Sequence, residues 1–367
     1  MAPNPESASR NFMRITFLLS SLTLSGGVML AIEYANGLAA RGHRVTFVTP
    51  GGSVDRELLP TIAPAISVVE CQAPLPQSRN PLALLRLIID MARATPPADI
   101  LVATHTPTTA PALLASIAMC KGRRAWLYMD YDEMFRGRAV ERWLLHNAPR
   151  WFHNIWAIST PLQEQAATRT NSPVIMTGGG LLHAHLFYDQ PRLPIAPGEI
   201  RVLYVGDERP RKGFRQFLEA AEQIAPYIVG LKLVIVSKNP MEFETAIPVE
   251  FYLHPSDQQL ADLYHSGSLF VSASWGEGLG YPPLEAMACR TPVVLTDSEG
   301  VRDYARHEWN CLVVPPRDVS ALAAAMQRML QEPMLAACCI ENGLTTAHQY
   351  RWENVIDRVE NALKEIG

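Results

Sequence analysis

Two series of alternating strand and helix patterns, separated by a proline-rich stretch, constrain the fold of this chain more than any other feature. In the first series, the apolar segments Arg14–Leu19 and Arg44–Thr49 flank an amphipathic stretch over Val28–Arg41, which is the pattern of a βαβ unit. A second series starts at Arg201–Val205. Alternation of this kind is typical of parallel sheets covered by helices. It predicts an α/β protein with two doubly wound Rossmann-like domains.

The other predicted elements repeat the same order. In the first series they are the strands Ile100–Thr104, Arg124–Tyr128, Asn154–Ile158 and Val174–Met176 and the helix Ala110–Cys120. In the second series they are the strands Lys232–Val236, Glu250–Leu253, Leu269–Ala273 and Pro292–Leu295, the helices Phe214–Ala225, Asp257–His265 and Pro282–Met287, and further helices from Ser320 onward.

The length of 367 residues suits two domains, because single hydrophobic cores stop growing at roughly 250–300 residues. The stretch 189–198 contains three prolines and is the expected linker. We therefore expect an N-terminal domain over 1–193, a C-terminal domain over 199–348, and a final helix in 349–367 that packs back on the N-terminal domain. Ligands bind beyond the carboxyl ends of the strands in such sheets, so the two domains should face each other across a cleft.

Charge and cysteine content exclude some classes of protein. The net charge of −4 does not favour nucleic-acid binding. Residues 1–190 hold 16 Lys/Arg against 13 Asp/Glu, so this half is suited to an anionic acceptor or a membrane surface, unless the small asymmetry is incidental. The six cysteines form no C-x-x-C pair, which predicts reduced thiols in a cytoplasmic protein.

The segment from Arg10 to Ala40 begins like a secretory signal, with arginines before an apolar run. The run breaks at Gly26-Gly27 and continues with helical periodicity, so we interpret the segment as a strand, a turn and a helix. No stretch reaches the ~20 apolar residues that a transmembrane helix needs.

The segment most informative about function is SWGEGLGYPPLEAMA, from Ser274 to Ala288. Its pattern predicts a strand end, a glycine-rich loop and a helix that opens with two prolines, which the first helical turn tolerates. The free N–H groups of Gly280, Tyr281 and Leu284, together with the positive end of the helix dipole, would form an anion site suited to a phosphate.

Two glutamates flank this predicted phosphate site. Glu277 precedes it, and Glu285 lies one turn into the helix. Carboxylates accept hydrogen bonds from neighbouring hydroxyls, so the pair is suited to hold a sugar at one end of a diphosphate and a ribose at the other. A surface loop followed by a solvent-facing glutamate is the plainer interpretation, but the preceding strand and the two prolines favour the site.

The spacing Glu277…Glu285, inside EGLGYPPLEAMACRTPVVLTD, resembles the E-x7-E signature of glycosyltransferase family 4. The similarity extends from about Arg201 to Met329 and is weaker in the N-terminal half. The resemblance implies the GT-B fold, a nucleotide diphosphate sugar as donor, and retention of configuration at the anomeric carbon. The residues that it assigns to the donor are Glu277, Gly278, Leu279, Gly280 and Tyr281 for the sugar and diphosphate, and Glu285 for the ribose.

The resemblance also matches Lys212 to the lysine of the family's Lys-Gly pair, where it would neutralise charge on the leaving diphosphate. The arginine that the family places after a glycine is absent, because Gly206 is followed by Asp207. Arg209 or Arg211 can replace it from a shifted loop, and we predict Arg209. The other residues assigned to donor binding are Gly206, Ser237, Leu253 and His254, the last two near the base.

The N-terminal half should carry the acceptor side. Gly26 and Gly27 follow the first strand and are expected beneath the donor diphosphate. The stretch around Asp130 resembles the Q-D-Y-E-x-x-F variant of rhamnosyltransferase-like members of the family, and Asp130 is our candidate for orienting or deprotonating the acceptor hydroxyl. The further acceptor candidates are His105, Asp132 and Glu133.

The residues Asp130-Tyr131-Asp132 also spell D-x-D, the metal–diphosphate motif of the other major glycosyltransferase fold. A three-residue match is frequent by chance, and the E-x7-E segment already supplies a diphosphate site without metal. We therefore expect no metal and no other cofactor.

Arginines and aromatic residues are interleaved after this motif. They are Arg136, Arg138, Arg142 and Arg150, with Phe135, Trp143, Trp151 and Phe152. Such a segment can dock onto anionic lipid headgroups, which would give a peripheral membrane contact. A solvated helix whose aromatic residues contact the core is the interpretation that we favour.

The predicted reaction is transfer of a hexose or deoxyhexose to a hydroxyl of a glycan, a lipid-linked saccharide or a small molecule. Two alternatives remain. One is a sugar-nucleotide epimerase of similar fold, which needs no acceptor. The other is a non-catalytic sugar-nucleotide-binding subunit, which consumes no donor.

Overall fold

A computed structural model describes residues 12–76, 80–182 and 184–366. The chain divides into two compact units. The first comprises Met1–Ile158, Leu162–Gly178 and Trp352–Gly367, and the second comprises Ser159–Pro161 and Gly179–Arg351. Each unit is built on one parallel sheet with helices packed on it, so the prediction of two doubly wound Rossmann-like α/β domains is confirmed.

The sheet of the first unit has seven strands in the described residues. They are β1 (Arg14–Leu18), β2 (Arg44–Gly51), β3 (Ser67–Pro74), β4 (Ile100–Ala103), β5 (Arg123–Tyr128), β6 (Asn154–Ala157) and β7 (Val174–Met176). Their order is β3-β2-β1-β4-β5-β6-β7, and all neighbours are parallel. Strands β4 and β6 are buried along their whole length, because helices cover both faces of the sheet.

The helices of this unit begin with α1 (Gly26–Ala40) and α2 (Pro81–Ala94). They continue with α3 (Thr109–Leu113), which passes into a π-helical turn over Leu114–Ala118, then α4 (Ala139–Asn147) and α5 (Thr160–Ala167). Two short 3₁₀ turns, Thr106–Thr108 and Asp132–Phe135, follow β4 and β5.

The sheet of the second unit has six strands in the described residues, in the order β10-β9-β8-β11-β12-β13. They are β8 (Ile200–Val205), β9 (Leu231–Ser237), β10 (Val249–Leu253), β11 (Leu269–Ser272), β12 (Val293–Thr296) and β13 (Leu312–Val314). The helices are α6 (Phe214–Ile224), α7 (Asp257–Ser266), α8 (Tyr281–Ala288), α9 (Val319–Gln331) and α10 (Pro333–Ala347), and a 3₁₀ turn covers Pro210–Lys212.

The boundary between the units differs from the predicted one. Residues 179–198 belong to the second unit, because Phe187 packs edge-on against Tyr264 (ring centroids 5.7 Å apart) and the N–H of Leu193 donates to the carbonyl of His265 (3.2 Å). Both partners lie on α7. The chain therefore leaves the first unit at Gly178 rather than at residue 193.

The last helix, α11 (Trp352–Ile366), lies in the first unit and packs against α1. Arg41 pairs with Asp357 at 2.6 Å and with Glu360 at 2.8 Å, and the ring of Trp352 meets that of Tyr34 edge-on at 6.1 Å.

Two elements of the first unit, β3 and α2, are not among the predicted ones. β3 is an edge strand whose buried and exposed residues do not alternate regularly, so its sequence SVVECQAP lacks a clear period of two. α2 begins with a run of exposed leucines, which blurs its amphipathic pattern.

Strand order reverses once in each sheet, at β1/β4 in the first unit and at β8/β11 in the second. Loops beyond the carboxyl ends of these strands diverge to opposite faces and leave a crevice, which is where parallel sheets bind ligands. The predicted glycine pair follows β1, the Lys212 turn follows β8, and the loop with Glu277 follows β11. The topology thus places these predicted site residues at the switch points.

Candidate active site

The loop between β11 and α8 in the second unit has the predicted form. Gly280 caps α8 with a φ of +83°, in the left-handed region that favours glycine, and its carbonyl accepts a hydrogen bond from the Tyr304 hydroxyl (2.6 Å). A Cβ at Gly280 would lie 2.9 Å from that hydroxyl oxygen. The two prolines occupy the first turn of α8, so the loop reaches the helix start with its backbone closely packed.

Glu277 is held between two cations. Its Oε1 lies 2.7 Å from Nζ of Lys212, and its Oε2 lies 3.4 Å from Nη1 of Arg211. Burial favours the neutral carboxyl, but the charges of Lys212 and Arg211 outweigh it, so the pKa of Glu277 is lowered. The carboxylate is therefore ionised at neutral pH and is almost enclosed.

The turn that carries these cations is fixed by glycine and by the neighbouring loop. Gly213 has a φ of +67°, and a Cβ there would overlap the carbonyl oxygen of Ala273 at the end of β11. The N–H of Trp275 donates to the carbonyl of Arg211 (2.7 Å). Gly206 lies against the Tyr204 hydroxyl, which in turn donates to the carbonyl of Lys212 (3.1 Å).

Arg209, predicted as the second cation, is placed differently from Arg211. Its guanidinium forms hydrogen bonds to both carboxylate oxygens of Asp207, at 2.6 to 3.0 Å, and its side chain is 59% exposed. The side chain of Arg211 is only 15% exposed. The structure thus brings Arg211, rather than Arg209, to Glu277, and Arg209 compensates the aspartate that stands where the family has its arginine.

Glu285 lies one turn into α8, and its Oε2 accepts a hydrogen bond from the Tyr264 hydroxyl (2.8 Å). Burial raises the pKa of this carboxyl to about 7, although the Tyr264 hydrogen bond opposes the change. Its environment therefore contrasts with that of Glu277, which has cations at contact distance.

The residues predicted near the base follow β9 and β10. Ser237 is buried and its hydroxyl accepts from the N–H of Asn239 (3.1 Å). His254 has a φ of +48° and its N–H donates to the carbonyl of Ser237 (3.0 Å), while Leu253 is exposed. Three of the predicted donor residues are thus joined at the carboxyl end of β9 and β10.

Lys238 is a charged residue of this region that sequence reasoning missed. It follows the last residue of β9, beside the end of β8, since Val236 pairs with Val205. Although residue 238 as a whole is exposed, burial of its amine and then the positive charges of Lys212 and Arg209 lower its pKa. No motif surrounds Lys238; only the strand register, once known, indicates its place.

The backbone is strained beside Glu277. Glu299 has φ +66° and ψ −71°, values of the rare classic γ-turn, and it forms a bridge with Glu277 through the backbone. The N–H of Glu277 donates to the carbonyl of Ser298 (2.9 Å). The loop after β12 therefore fixes the backbone of Glu277, while the Glu299 side chain is exposed.

In the first unit, three segments meet around the predicted glycine pair. Gly26 opens α1, whose N-cap Ser25 accepts from the N–H of Val28 (3.3 Å). A Cβ on Gly27 would lie 2.6 Å from Sδ of Met129 and 2.8 Å from Nε2 of His105. A side chain at this position would displace Met129 and His105, because the loops after β4 and β5 lie against the first turn of α1.

Asp130 is 1% exposed and follows β5. Its Oδ2 accepts from the N–H of Thr106 (2.6 Å), which joins it to the turn after His105. Its Oδ1 has no hydrogen-bond partner among the described residues, and neither does the hydroxyl of Thr106. A buried carboxylate oxygen without a partner is costly, and such atoms are often kept for function.

The other two acidic candidates are engaged within the unit. Asp132 accepts hydrogen bonds from His146, from Arg169 (3.0 Å) and from Gln165 (3.1 Å). Burial favours its neutral form, but the interactions with His146 and Arg169 outweigh burial, so the pKa of Asp132 is lowered. Glu133 pairs with Arg136 at the surface (3.2 Å). The two aspartates of the D-x-D sequence thus have separate partners.

The described residues also bear on metal binding and on membrane crossing. Residues 12–76, 80–182 and 184–366 contain no group of three or more His, Cys, Asp and Glu placed to bind a metal ion. Over the same ranges, no helix combines the length and the apolar character needed to cross a bilayer.

Comparison with solved structures identifies the architecture. A sucrose-phosphate synthase from Thermosynechococcus elongatus superposes with a TM-score of 0.78 at 18% identity, over 96% of this chain and 98% of the other. Anabaena HepE in complex with UDP-glucose superposes with a TM-score of 0.75 at 18% identity, over 96% and 100%. The fold is therefore that of the GT-B glycosyltransferases.

Sequence comparison then gives the family. A glycosyl transferase 4-like domain matches residues 26–177, and a glycosyl transferases group 1 domain matches residues 199–332. The chain belongs to glycosyltransferase family 4, as the E-x7-E spacing predicts. Rhamnosyl specificity stays a prediction.

Curated relatives match over part of their length. The Escherichia coli O-antigen chain mannosyltransferase B is 29% identical over 44% of this chain and 45% of its own. The D-inositol 3-phosphate glycosyltransferase of Rhodococcus erythropolis is 28% identical over 45% and 41%. The match thus spans less than half the length of these relatives.

Proposed function

We propose that the chain is a retaining glycosyltransferase, which moves a hexose or deoxyhexose from a nucleotide diphosphate sugar to an acceptor hydroxyl without a metal ion. The observation that carries this proposal is the placement of Glu277 between Lys212 and Arg211, beside the N-terminus of α8. A diphosphate can replace Glu277 as the partner of both cations. The freed carboxylate then accepts hydrogen bonds from hydroxyls of the donor sugar.

The second unit would bind most of the donor. Lys212, Arg211 and the amides at the start of α8 stabilise the charge that grows on the leaving diphosphate. Glu285, when ionised, accepts from the ribose hydroxyls, and the segment Ser237 to His254 lies near the base. The UDP-glucose in the Anabaena HepE structure supports a nucleotide sugar as donor.

The transfer step that we propose is a substitution on one face of the sugar. The bond between the anomeric carbon and the diphosphate oxygen breaks, and the acceptor oxygen forms its bond on the same face. The acceptor proton passes to the departing phosphate oxygen. This route needs no carboxylate as a covalent nucleophile.

The first unit would hold the acceptor, with Asp130 orienting its hydroxyl. The free Oδ1 of Asp130 supplies an acceptor for that hydrogen bond. This oxygen is closed to solvent, so the segments around it have to move before an acceptor hydroxyl can reach it.

The test is a donor screen followed by product analysis. UDP-, GDP-, ADP- and dTDP-sugars are first ranked by thermal shift, since a bound ligand raises the melting temperature by mass action. Donor consumption is then measured with and without glycan, lipid-linked and small-molecule acceptors, and product stereochemistry is read by NMR. We expect consumption that depends on the acceptor and a retained anomeric configuration.

The same experiment separates the alternatives. Consumption of donor without any acceptor would indicate the epimerase, and a thermal shift without consumption would indicate a binding subunit. An inverted product would contradict the retaining mechanism. A loss of activity on removal of divalent cations by EDTA would contradict the metal-free mechanism.

A further inference from the structure

His105, just after β4, is held by two threonines of the same segment. Its N–H donates to Oγ1 of Thr108 (3.3 Å), and its carbonyl accepts from the N–H and from the hydroxyl of Thr108 (2.8 and 2.7 Å). Its ring meets Thr104, whose Oγ1 is 3.2 Å from Nδ1 of the imidazole. The backbone and the ring of His105 are therefore both fixed within the first unit.

The hydrogen bonds of Thr104 determine which nitrogen of the His105 ring carries the hydrogen. Thr104 is completely buried, and its hydroxyl donates to the carbonyl of Leu18 at the end of β1 (2.8 Å). A carbonyl can only accept, and a hydroxyl has a single hydrogen, so the Thr104 oxygen can only accept from the imidazole. The neutral ring consequently carries its hydrogen on Nδ1 and its lone pair on Nε2.

Nε2 of His105 lies beside the start of α1. A Cβ on Gly27 would be 2.8 Å from Nε2, which shows how close the ring is to the first turn of this helix. Within residues 12–76, 80–182 and 184–366, no group forms a hydrogen bond with Nε2, and His105 is only half-buried. The lone pair of Nε2 is thus accessible next to the glycine pair that we expect beneath the donor diphosphate.

We propose that Thr104 is a positioning residue, which fixes His105 in the Nδ1–H tautomer so that Nε2 accepts a hydrogen bond from a sugar hydroxyl. The hydroxyl rests on the proposed function, whereas the tautomer does not. An ionised phosphate oxygen has no hydrogen to donate, so a bare Nε2 selects a hydroxyl over a phosphate. This hydroxyl belongs either to the transferred sugar or to the acceptor, and the KM values of the two substrates distinguish these sources.

Thr104→Val removes the hydroxyl and keeps a branched side chain of similar size. The carbonyl of Leu18 retains the N–H of residue 104 as a donor (3.3 Å), but Nδ1 of His105 loses its acceptor. The ring can then carry its hydrogen on Nε2, and every molecule in that tautomer lacks the lone pair that the sugar hydroxyl needs.

Nitrogen-15 NMR of the imidazole rings of the full chain tests the tautomer directly. At about pH 8, where an ordinary imidazole is neutral, we expect wild-type His105 to carry its hydrogen on Nδ1. His105→Gln identifies the signals of this ring by their loss. Thr104→Val should show a mixture with hydrogen on Nε2, and Thr104→Ser, which keeps the hydroxyl, should restore the wild-type pattern.

Steady-state kinetics test the hydrogen bond to the substrate. Thr104→Val should lower kcat/KM about 3- to 10-fold, which is the range for one hydrogen bond, and Thr104→Ser should recover most of the loss. Once His105 is replaced by glutamine, Thr104→Val should cost nothing more, because it acts through the imidazole. A rise in the donor KM alone would assign the hydroxyl to the transferred sugar, and a rise in the acceptor KM alone would assign it to the acceptor.

Thr95→Val is the matched control. Thr95 is also buried, and its hydroxyl also donates to a backbone carbonyl, that of Met91 (2.7 Å). It precedes β4, whereas His105 follows that strand, so the substitution removes the same kind of bond at the opposite end. It should lower the melting temperature about as much as Thr104→Val does, but leave the His105 tautomer and kcat/KM unchanged.

Three outcomes would overturn the inference. They are a wild-type His105 with its hydrogen on Nε2, equal losses of kcat/KM in Thr104→Val and Thr95→Val, and losses in Thr104→Val and His105→Gln that simply add. The NMR readout needs no turnover, so the wrong tautomer counts against Thr104 even in an active enzyme. The expected tautomer in a chain that transfers no sugar would instead contradict the proposed function and confirm the role of Thr104 in fixing the ring.

Discussion

Glu277 in the second unit and Asp130 in the first both follow the carboxyl end of a parallel strand, but their surroundings differ. Glu277 contacts Lys212 and Arg211, so its charge is compensated before any ligand binds. Asp130 receives one backbone N–H and forms no ion pair among the described residues, with Oδ1 unpartnered. The two acids are thus suited to different tasks.

Where a carboxylate is already paired with cations, another anion, such as a diphosphate, can take its place beside them. An uncompensated carboxylate in a buried place is prepared for a proton or a hydroxyl. With the roles proposed above, charge balance distinguishes the donor side from the acceptor side. It also predicts how substitutions on the two sides should differ in their effects on activity and on stability.

The largest effect is expected from Glu277→Gln. The amide keeps the shape but leaves Lys212 and Arg211 without a charged partner, so the free energy of unfolding should fall by about 2 kcal/mol. Turnover should fall about 10²–10³-fold, as when a group that contacts the reacting centre is removed. Steady-state kinetics and chemical denaturation measure the two quantities.

Glu299→Gln is the control for this change, because Glu299 shares the backbone bridge with Glu277 but has an exposed side chain. It should alter neither quantity appreciably. Equal losses in both variants would mean that the loop, rather than the Glu277 carboxylate, is what matters.

The next effect concerns which arginine serves the donor. Arg211→Ala should lower turnover by about a hundredfold, because it removes a largely buried cation beside Glu277. Arg209→Ala should cost less than about threefold, because that guanidinium is exposed and already neutralises Asp207. The measurement is kcat for both variants at saturating donor. A larger loss in Arg209→Ala than in Arg211→Ala would mean that Arg209, the arginine predicted from sequence, serves the donor.

Asp130→Asn tests the uncompensated side. The amide oxygen can still accept from the N–H of Thr106, so the unfolding free energy should change by less than about 1 kcal/mol. Turnover should nevertheless fall about 10–10²-fold, with donor affinity unchanged, because the acceptor hydroxyl loses its carboxylate.

Asp132→Asn provides the contrast on the same turn. It removes the negative charge that pairs with His146 and Arg169, so it should lower the melting temperature more than Asp130→Asn does. If Asp130→Asn instead destabilised the fold and left turnover intact, Asp130 would be a structural residue and the comparison with Glu277 would fail.

The loop and helix of the proposed donor side could be predicted from sequence because their signals are local. The glycine-rich loop, Glu277 and Glu285 lie within a dozen residues, and the proline pair fixes the start of α8. The strand and helix order follows from apolar periodicity in the same way. Elements without a clean period, such as β3 and α2, could not be found by that route.

The features that could not be predicted from the sequence depend on contacts between distant segments. The choice between Arg209 and Arg211 depends on where Asp207 points, and the attachment of 179–198 depends on Phe187 meeting α7. Likewise, nothing near Asp130 in the sequence shows that Oδ1 is left without a partner. Burial and pairing of single side chains become visible only in three dimensions.

A smaller effect is the pH dependence that distinguishes Glu285 from Glu277, because their pKa values are shifted in opposite directions. Burial raises the pKa of Glu285 from 4.5 to about 7, so the folded state holds this proton more tightly than the unfolded one. Its contribution to stability is therefore present at low pH and is lost as pH rises between those values. The pKa of Glu277 is lowered, so its contribution has the opposite sign and is lost in acid.

Donor affinity should accordingly rise by up to about tenfold as pH passes from about 6 to about 8, because only ionised Glu285 accepts from both ribose hydroxyls. Glu285→Gln should bind donor weakly and without this pH dependence. Titration of donor affinity by calorimetry checks both statements. A wild-type affinity that stays flat across this range would exclude ribose binding by the carboxylate.

The smallest effect is expected from Lys238→Ala, which tests whether the positive charge of the donor side extends beyond the ions that contact Glu277. Lys238 lies close enough to Lys212 and Arg209 for their charges to lower its pKa, so it should attract the donor without touching the reacting bond. The KM for donor should rise about threefold and become less sensitive to salt, with kcat unchanged. Lys232→Ala, within β9, is the control, because Lys232 pairs with Glu199 and Glu250 away from the site. A tenfold loss of kcat in Lys238→Ala would instead mean that this amine contacts the diphosphate in the transition state, and a rise of KM in Lys232→Ala would mean that overall charge alone accounts for the effect.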